Sequence, residues 1–325
     1  MPLFKRRHDD ESLTLYYASD IHGSDLLWKK FVNAGRFYRA DVLVMGGDIT
    51  GKAVLPIVRE NGGFRAHEIL GERVFGEDEL PDVEKRIRDL GFYPLLTSQR
   101  EIDRARGDQA TVDRFFLGAM EDSLARWLEL ADERLVDSDI RLYVMLGNDD
   151  EPRLREVLAR PGVAVDPEEV TVDLGEGWQM LSCGHANPTP WHSPRELPED
   201  ELEEHLESLV AAIDDPKRAV FNLHVPPIRT AIDRAPALDE SLKPIVRGGA
   251  VTMTAAGSQA VRNIIERHQP AVALHGHIHE SRGVVKVGKT VCINPGSEYA
   301  EGVLHGALVV LDGKKGLRNY QLVSG

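Results

Sequence analysis

The sequence predicts an α/β protein with two sheets packed in the middle. Strand, helix and strand patterns alternate at the start of the chain, short apolar runs dominate its second half, and no internal repeat or low-complexity segment interrupts them. Leu13-Thr-Leu-Tyr-Tyr-Ala18 is predicted to be a buried strand ending at Ser19-Asp20. Residues 24–37 place Leu26, Leu27, Phe31, Val32 and Phe37 at helical spacing. Asp41-Val-Leu-Val-Met45 follows as a second strand and ends in Gly46-Gly-Asp48, so the three elements form a βαβ unit. Such a unit implies a parallel sheet covered on both faces.

Residues 53–110 break this rhythm. Val54-Leu-Pro-Ile-Val58 and Phe64-Arg-Ala-His-Glu-Ile69 predict a hairpin around Glu60-Asn-Gly-Gly63, followed by a charged, partly helical stretch. This is expected to be an excursion at the sheet edge, with too few apolar residues for a core of its own. Residues 111–135 resume as an amphipathic helix on Phe115, Phe116, Met120, Leu124, Trp127, Leu128 and Leu130, leading into the strand Leu142–Leu146. Strands are then expected at 170–173, 178–183, 218–223, 271–274, 284–287, 290–293 and 306–311, with helices at 199–213 and 258–268. The whole of 1–325 is expected to be one domain carrying the 53–110 excursion.

The chain has 325 residues, is 42% hydrophobic and carries a formal charge of −14. That charge opposes binding to long nucleic acid or an anionic membrane surface, both of which demand basic patches. The basic cluster Lys5-Arg6-Arg7 is followed by two acids and is expected to be a solvated tail. Cys183 and Cys292 both sit in apolar runs, which suits two buried thiols in a reducing compartment. The start MPLFKRRHDDE lacks the apolar core of a signal peptide, and no apolar run approaches the ~18 residues of a membrane span. A cytoplasmic protein is expected.

The chemistry lies just after the strands. Their ends carry Ser19-Asp-Ile-His-Gly23, Gly46-Gly-Asp48, Gly147-Asn-Asp-Asp150, Leu223-His224 and Leu274-His-Gly-His-Ile-His279. Open α/β sheets gather their ligand sites at such carboxyl ends. In Asp20-x-His22 an extended backbone would point both side chains the same way, toward one ion, and His277-x-His279 repeats the spacing. Mixed imidazole, carboxylate and amide donors suit Mn, Fe, Zn or Co better than Ca. Asp20, His22, Asp48, Asn148, His224, His277 and His279 are too many ligands for one ion and suit two that share a carboxylate. Singly, an Asp after a strand is usually a turn or helix cap, and a lone His a satisfied polar residue. Together, on five strand ends, those bland explanations weaken.

The set Asp20-x-His22, Gly47-Asp48, Gly147-Asn148-x-Asp150, His224 and Gly276-His277-x-His279 resembles the signature of calcineurin-like metallophosphoesterases. Asn294-Pro-Gly-Ser297 resembles the segment that follows the site in that family, and the stretches Gly47–Lys52 and Asn187–Trp191 are similar to a prokaryotic branch of predicted phosphoesterases. The resemblance implies a four-layer α-β-β-α sandwich. It also implies that Asp20, His22 and His279 hold one metal, that Asn148, His224 and His277 hold the other, and that Asp48 bridges them. The implied activity is hydrolysis of a phosphodiester or phosphomonoester by a hydroxide between two divalent ions, with Mn favoured. The expected preference for diesters comes instead from a departure from the family, the lack of a dedicated histidine acid. The implied substrate is a small phosphate ester, with nucleotides among the candidates. An inactive metal-binding scaffold and a nuclease-type phosphodiesterase are the alternatives on this fold.

This sequence departs from the family at one position. Many members place a histidine, the leaving-group acid, between the metal-binding Asn and the following acid, and here Asp149 stands there. Two nearby dications would keep Asp149 ionised and a poor proton donor. With Asn148, it and His185 are the catalytic candidates, while Lys52 and Asn187 are candidates for touching substrate. Asp150 is expected to cap the next helix, with Pro152 in its first turn. His275 is expected to point away from the site. Residues 53–110 and the loop 184–198 are expected to shape the pocket mouth.

Overall fold

A computed structural model describes residues 12–60 and 62–325. The Lys5-Arg6-Arg7 cluster and Asn61 of the expected glycine turn lie outside the described residues.

Two six-stranded sheets form the centre. The first runs, in spatial order, Gly316–Ser324, His305–Asp312, Ser12–Ala18, Val42–Gly46, Arg141–Met145 and Ala164–Val165. The second runs Gly283–Val287, Thr290–Asn294, Val272–Leu274, Ala219–Leu223, Trp178–Cys183 and Val172–Gly175. Within the first sheet the strands ending at Ala18, Gly46 and Met145 are parallel. Within the second, those ending at Cys183, Leu223, Leu274 and Asn294 are parallel.

The two-residue period of a strand sorts their side chains into layers. Leu15, Tyr17, Val42, Val44, Met180, Val220, Val272 and Leu274 fill the space between the sheets. Their neighbours Tyr16, Ala18, Leu43 and Met45 face outward, onto the helices Asp25–Tyr38 and Gln109–Leu135. On the other side Leu181, Phe221 and Ala273 face the helices Glu199–Val210 and Gln259–His268. The result is the four-layer α-β-β-α sandwich. Helix Asp25–Tyr38 starts where Ser24 Oγ accepts from the Leu27 amide and stops at Arg39 in the left-handed region, φ 56°. Its Trp28 stacks on Trp127 at 5.2 Å between ring centroids, tying the two outer helices together.

Three expectations change. The 53–110 excursion does have a core: Ile57, Phe64, Phe75, Val83 and Ile87 are buried against one another. They come together because Tyr93–Thr97, a strand the sequence did not reveal, pairs in parallel with Val54–Glu60 and completes a four-stranded sheet. Phe37 and Phe115, placed on apolar helix faces, are 75% and 54% exposed. Helix Gln109–Leu135 buries side chains fully only from Met120 onward, and in its first half Phe116 and Ala119 pack against the core while only partly buried. The last strand, Gly316–Ser324, was also unforeseen, because it is an edge strand with no fully buried residue.

Candidate metal centre

All five signature blocks meet at the carboxyl edge of the sheets, and the backbone there is not extended. Asp20, His22, Asp48 and His277 have φ of 57°, 37°, 49° and 65°. Left-handed backbone costs a non-glycine residue on the order of 1–3 kcal/mol and persists only where its surroundings over-determine it. Here a ladder between the first two loops does so: the amides of Asp20, His22 and Gly23 donate to the carbonyls of Gly47, Asp48 and Ile49 at 2.9, 3.1 and 2.8 Å. The expected extended backbone is therefore overturned at both motifs: Asp20 and His22 still reach one ligand group, whereas His277 and His279 do not. Each turn aims its side chains individually, and His277 and His279 fall into different ligand groups.

Asp150 is a brace, not a helix cap. Its carboxylate accepts from the amides of Gly147, Ile49 and Thr50 at 2.7, 3.1 and 2.9 Å and from Thr50 Oγ1 at 2.6 Å. Glu151 occupies the cap position of the short helix Pro152–Leu154, without a side-chain bond. Burial first, and then the Asp48 charge, push the Asp150 carboxyl up to about 6. Asn294 fixes the opposite wall: its Nδ2 donates to the Ile278 carbonyl at 2.9 Å, and its Oδ1 accepts from the Gly296 amide at 2.8 Å. Ser297 Oγ donates to the Asp20 carbonyl at 2.7 Å, so the Asn294–Ser297 segment supports the site directly. Glycine is required at two close approaches. A Cβ on Gly147 would stand 2.1 Å from Asp48 Oδ1, and one on Gly276 would stand 2.2 Å from Asp20 Oδ2.

The seven candidate side chains form two groups joined through Asp48. Asp20, His22 and His279 bring ligand atoms within 4.8 Å of one another, as do Asp48, His224 and His277, while Asp48 also joins His22 and Asp149 in a third such set. Nε2 of His22 is 3.0 Å from Nε2 of His279, which lies 3.4 Å from Asp20 Oδ1. Nε2 of His224 is 3.3 Å from Asp48 Oδ1 and 4.0 Å from Asp20 Oδ1. Asn148 Oδ1 lies 2.8 Å from Nδ1 of His277, which brings the seventh candidate into the second group.

The protonation pattern shows the strain of packing these groups. Burial, with the neighbouring His279, pushes His22 down to about 3, and burial with His224 pushes His277 down to about 4. Burial also opposes charge at His224, but the Asp48 and Asp20 carboxylates outweigh it and lift that imidazole to about 9. Burial resists charge on Asp20 as well, yet His279 and His224 hold it near 2. His224 Nδ1–H donates to the Gly46 carbonyl at 2.8 Å, so its Nε2 is directed at the carboxylates. That Nε2 and Nδ1 of His22 are buried without a hydrogen-bond partner.

The remaining candidates divide. Asp149 joins the rim: its amide donates to Asp48 Oδ1 at 3.0 Å, its Oδ1 accepts from Ser193 Oγ at 2.6 Å, and its Oδ2 pairs with Lys52 Nζ at 3.0 Å. Lys52 is thereby placed beside the centre. His185 is not brought to it: its partners are Cys183, His205 and Glu168. Asn187 is half-buried, with Oδ1 lacking a partner. His275 does stay outside the ligand groups, its Nδ1 donating to the Leu223 and Val225 carbonyls at 2.8 and 3.1 Å. Two participants escaped the sequence reading. Tyr299 packs its ring 4.8 Å from that of His22, and nothing local marks it. Ser193 reaches Asp149 across 44 positions of sequence, from the loop expected at the pocket mouth.

No family model matches the chain. The uncharacterized protein MJ1162 of Methanocaldococcus jannaschii is 29% identical over 155 residues, covering 43% of this chain and 63% of that protein, less than two thirds of its length. The crystal structure of TT1561 of Thermus thermophilus superposes with a TM-score of 0.53 at 14% identity, over 96% of this chain and 98% of its own. A further crystal structure matches over the same shares with a TM-score of 0.54 and 18% identity. The chain has the metallo-dependent phosphatase-like fold. This is the fold that the calcineurin-like resemblance implied, and the His/Asp clusters sit at its sheet edge.

Proposed function

We propose that the chain is a calcineurin-like metallophosphoesterase, a metal-dependent hydrolase of small phosphate esters that favours phosphodiesters. The observation that carries this reading is the convergence of seven donors with orphaned buried nitrogens. Two buried carboxylates face one imidazole nitrogen at 3.3 and 4.0 Å, and two imidazole nitrogens face each other at 3.0 Å. Buried charges are tolerated when paired or when they coordinate metal. The donor set fits two divalent ions: Asp20, His22 and His279 would hold one, Asn148, His224 and His277 the other, and Asp48 would be shared. Mixed nitrogen and oxygen donors suit Mn, Fe, Zn or Co, with Mn favoured. When bound, such a pair supplies a low-pKa water and neutralises charge on the phosphate.

The protein's own residues do the positioning. Burial works against charge on Lys52, but Asp149 outweighs it and keeps the ammonium above its ordinary pKa. A charged Lys52 beside the centre suits a phosphate oxygen of the substrate, with Asp149 and Ser193 holding it in place. Asn187 would contact the substrate from the same loop as Ser193. No histidine stands at the Asp149 position to protonate the leaving oxygen, so esters with acidic leaving groups are favoured. Two free, buried thiols support a reducing, cytoplasmic setting. Among the described residues no helix is long and apolar enough to cross a membrane.

The test is a rate series over aryl phosphate monoesters and diesters with Mn²⁺. Diesters are expected to react faster, with rates rising steeply as the leaving group becomes more acidic. A flat dependence, with alkyl monoesters cleaved well, would overturn the diester preference. Absence of any divalent-metal activation would favour a scaffold.

A further inference from the structure

A second cluster of metal-ligand types lies outside this centre. Cys183 closes the strand Trp178–Cys183 with its thiol free and the residue 1% exposed. His185 follows two residues later, and His205 comes from helix Glu199–Val210, which covers the outer face of the same sheet. Their three ligand atoms lie within 4.8 Å of one another. Cys183 Sγ is 3.9 Å from His185 Nδ1, and the rings of His185 and His205 meet edge-on at 5.5 Å. His205 Nε2 is buried with no hydrogen-bond partner.

We propose that Cys183, His185 and His205 form a separate site for a single zinc-class divalent ion, which fastens helix Glu199–Val210 to the sheet. The donor chemistry selects the ion class, because a thiolate with two imidazoles suits Zn over Mg, Ca or Mn. The geometry is close to what such an ion needs. Bonds of ~2.3 Å to sulfur and ~2.0–2.1 Å to nitrogen place tetrahedral ligands on the order of 3.5 Å apart. The observed 3.9 Å needs only a small rotamer adjustment. Glu168 lies beside the cluster and is 1% exposed: its Oε1, 3.9 Å from His185 Nδ1, pairs with Arg195 and accepts from the Gly184 amide at 2.8 Å, while its Oε2 has no hydrogen-bond partner. On binding, the thiol gives its proton to solvent and its sulfur takes the metal bond.

The consequence reaches the metal centre through the chain. The loop 184–198 begins at this cluster, and its Ser193 bonds Asp149. An ion at Cys183 would hold the root of that loop, which makes the site structural. The proposal does not rest on phosphoesterase activity.

The test uses the full chain, stripped of metal and titrated with Co²⁺. The main centre contains no sulfur, so a thiolate-to-cobalt absorption band in the near ultraviolet reports this site alone. The band is expected in the unmodified protein, in Cys292→Ser and in His279→Ala. It is expected to be lost in Cys183→Ser and in His205→Ala, the latter at a half-buried helix position that leaves the core untouched. Absence of a thiolate band in the unmodified protein, or its survival in both Cys183→Ser and His205→Ala, would overturn the proposal.

Discussion

Nζ of Lys52 lies 3.0 Å from Oδ2 of Asp149, at the position where the resemblance leads one to expect a histidine. The pair sets a cation beside the candidate ligands, at the position where the resemblance implies a proton donor. A lysine paired to a carboxylate stays charged through the neutral range, and burial alone does not discharge it here. Hydrogen bonds to charged groups contribute ~1.5–3 kcal/mol. Lys52→Met is therefore expected to raise KM for a phosphate ester by roughly 10- to 100-fold, with kcat changed less. Asp149→Asn is expected to keep the alkaline limb of its pH–rate profile. Loss of that limb would make Asp149 the proton donor after all.

Asp48 shares one ligand set with His224 and His277 and another with His22, whereas His279 shares one, with Asp20 and His22. Asp48→Ala is expected to empty both positions, and His279→Ala to empty or weaken only the first. Metal content by elemental analysis, after dialysis against Mn²⁺, separates the two outcomes. Equal loss in the two variants would argue against a shared carboxylate.

Asp150 satisfies three buried amides and a hydroxyl from two site loops. Leaving buried donors unpaired costs ~1–3 kcal/mol each. Asp150→Ala should lower unfolding free energy by about 3 kcal/mol or more and reduce metal retention. Urea unfolding of the metal-free protein reads the first effect. A change below about 1 kcal/mol would show that water replaces the brace.

His275 offers a stability change with a defined sign. Burial holds its folded pKa at about 4, below the ordinary 6.5. Between these values the unfolded chain binds the proton and the folded chain does not. Stability is thus lost as pH falls from 6.5 toward 4, by up to about 3 kcal/mol, and nothing is lost above 6.5. His275→Asn keeps a donor for the Leu223 and Val225 carbonyls without titrating. Its unfolding free energy should fall less between pH 7.5 and 5 than that of the unmodified protein. Parallel pH dependence in the two proteins would exclude His275 as the source.

Residue pattern alone carried the layered core and placed the seven candidate ligands at strand ends. Alternation such as Leu15 and Tyr17 against Tyr16 and Ala18 is a local property, because neighbouring side chains must face opposite sides of a strand. The seven candidate ligands were legible for the same reason, each standing directly after an apolar run. What stayed hidden depends on partners distant in sequence. Tyr93–Thr97 is a strand because Val54–Glu60 accepts it, and the excursion's core follows from that pairing.

The same division holds at the site. The sequence by itself determined which residue types end the strands, and so that acids, imidazoles and an amide would crowd one edge. Only the tertiary structure decided how they share it. Left-handed turns at Asp20, His22, Asp48 and His277 aim each side chain, and those turns are held by bonds between loops far apart in the chain. Asp150 looked like a helix cap because caps are local, but its donors come from Ile49 and Thr50 as well as from Gly147. Asp149 likewise owes its place to Lys52 and Ser193, which folding alone brings to it.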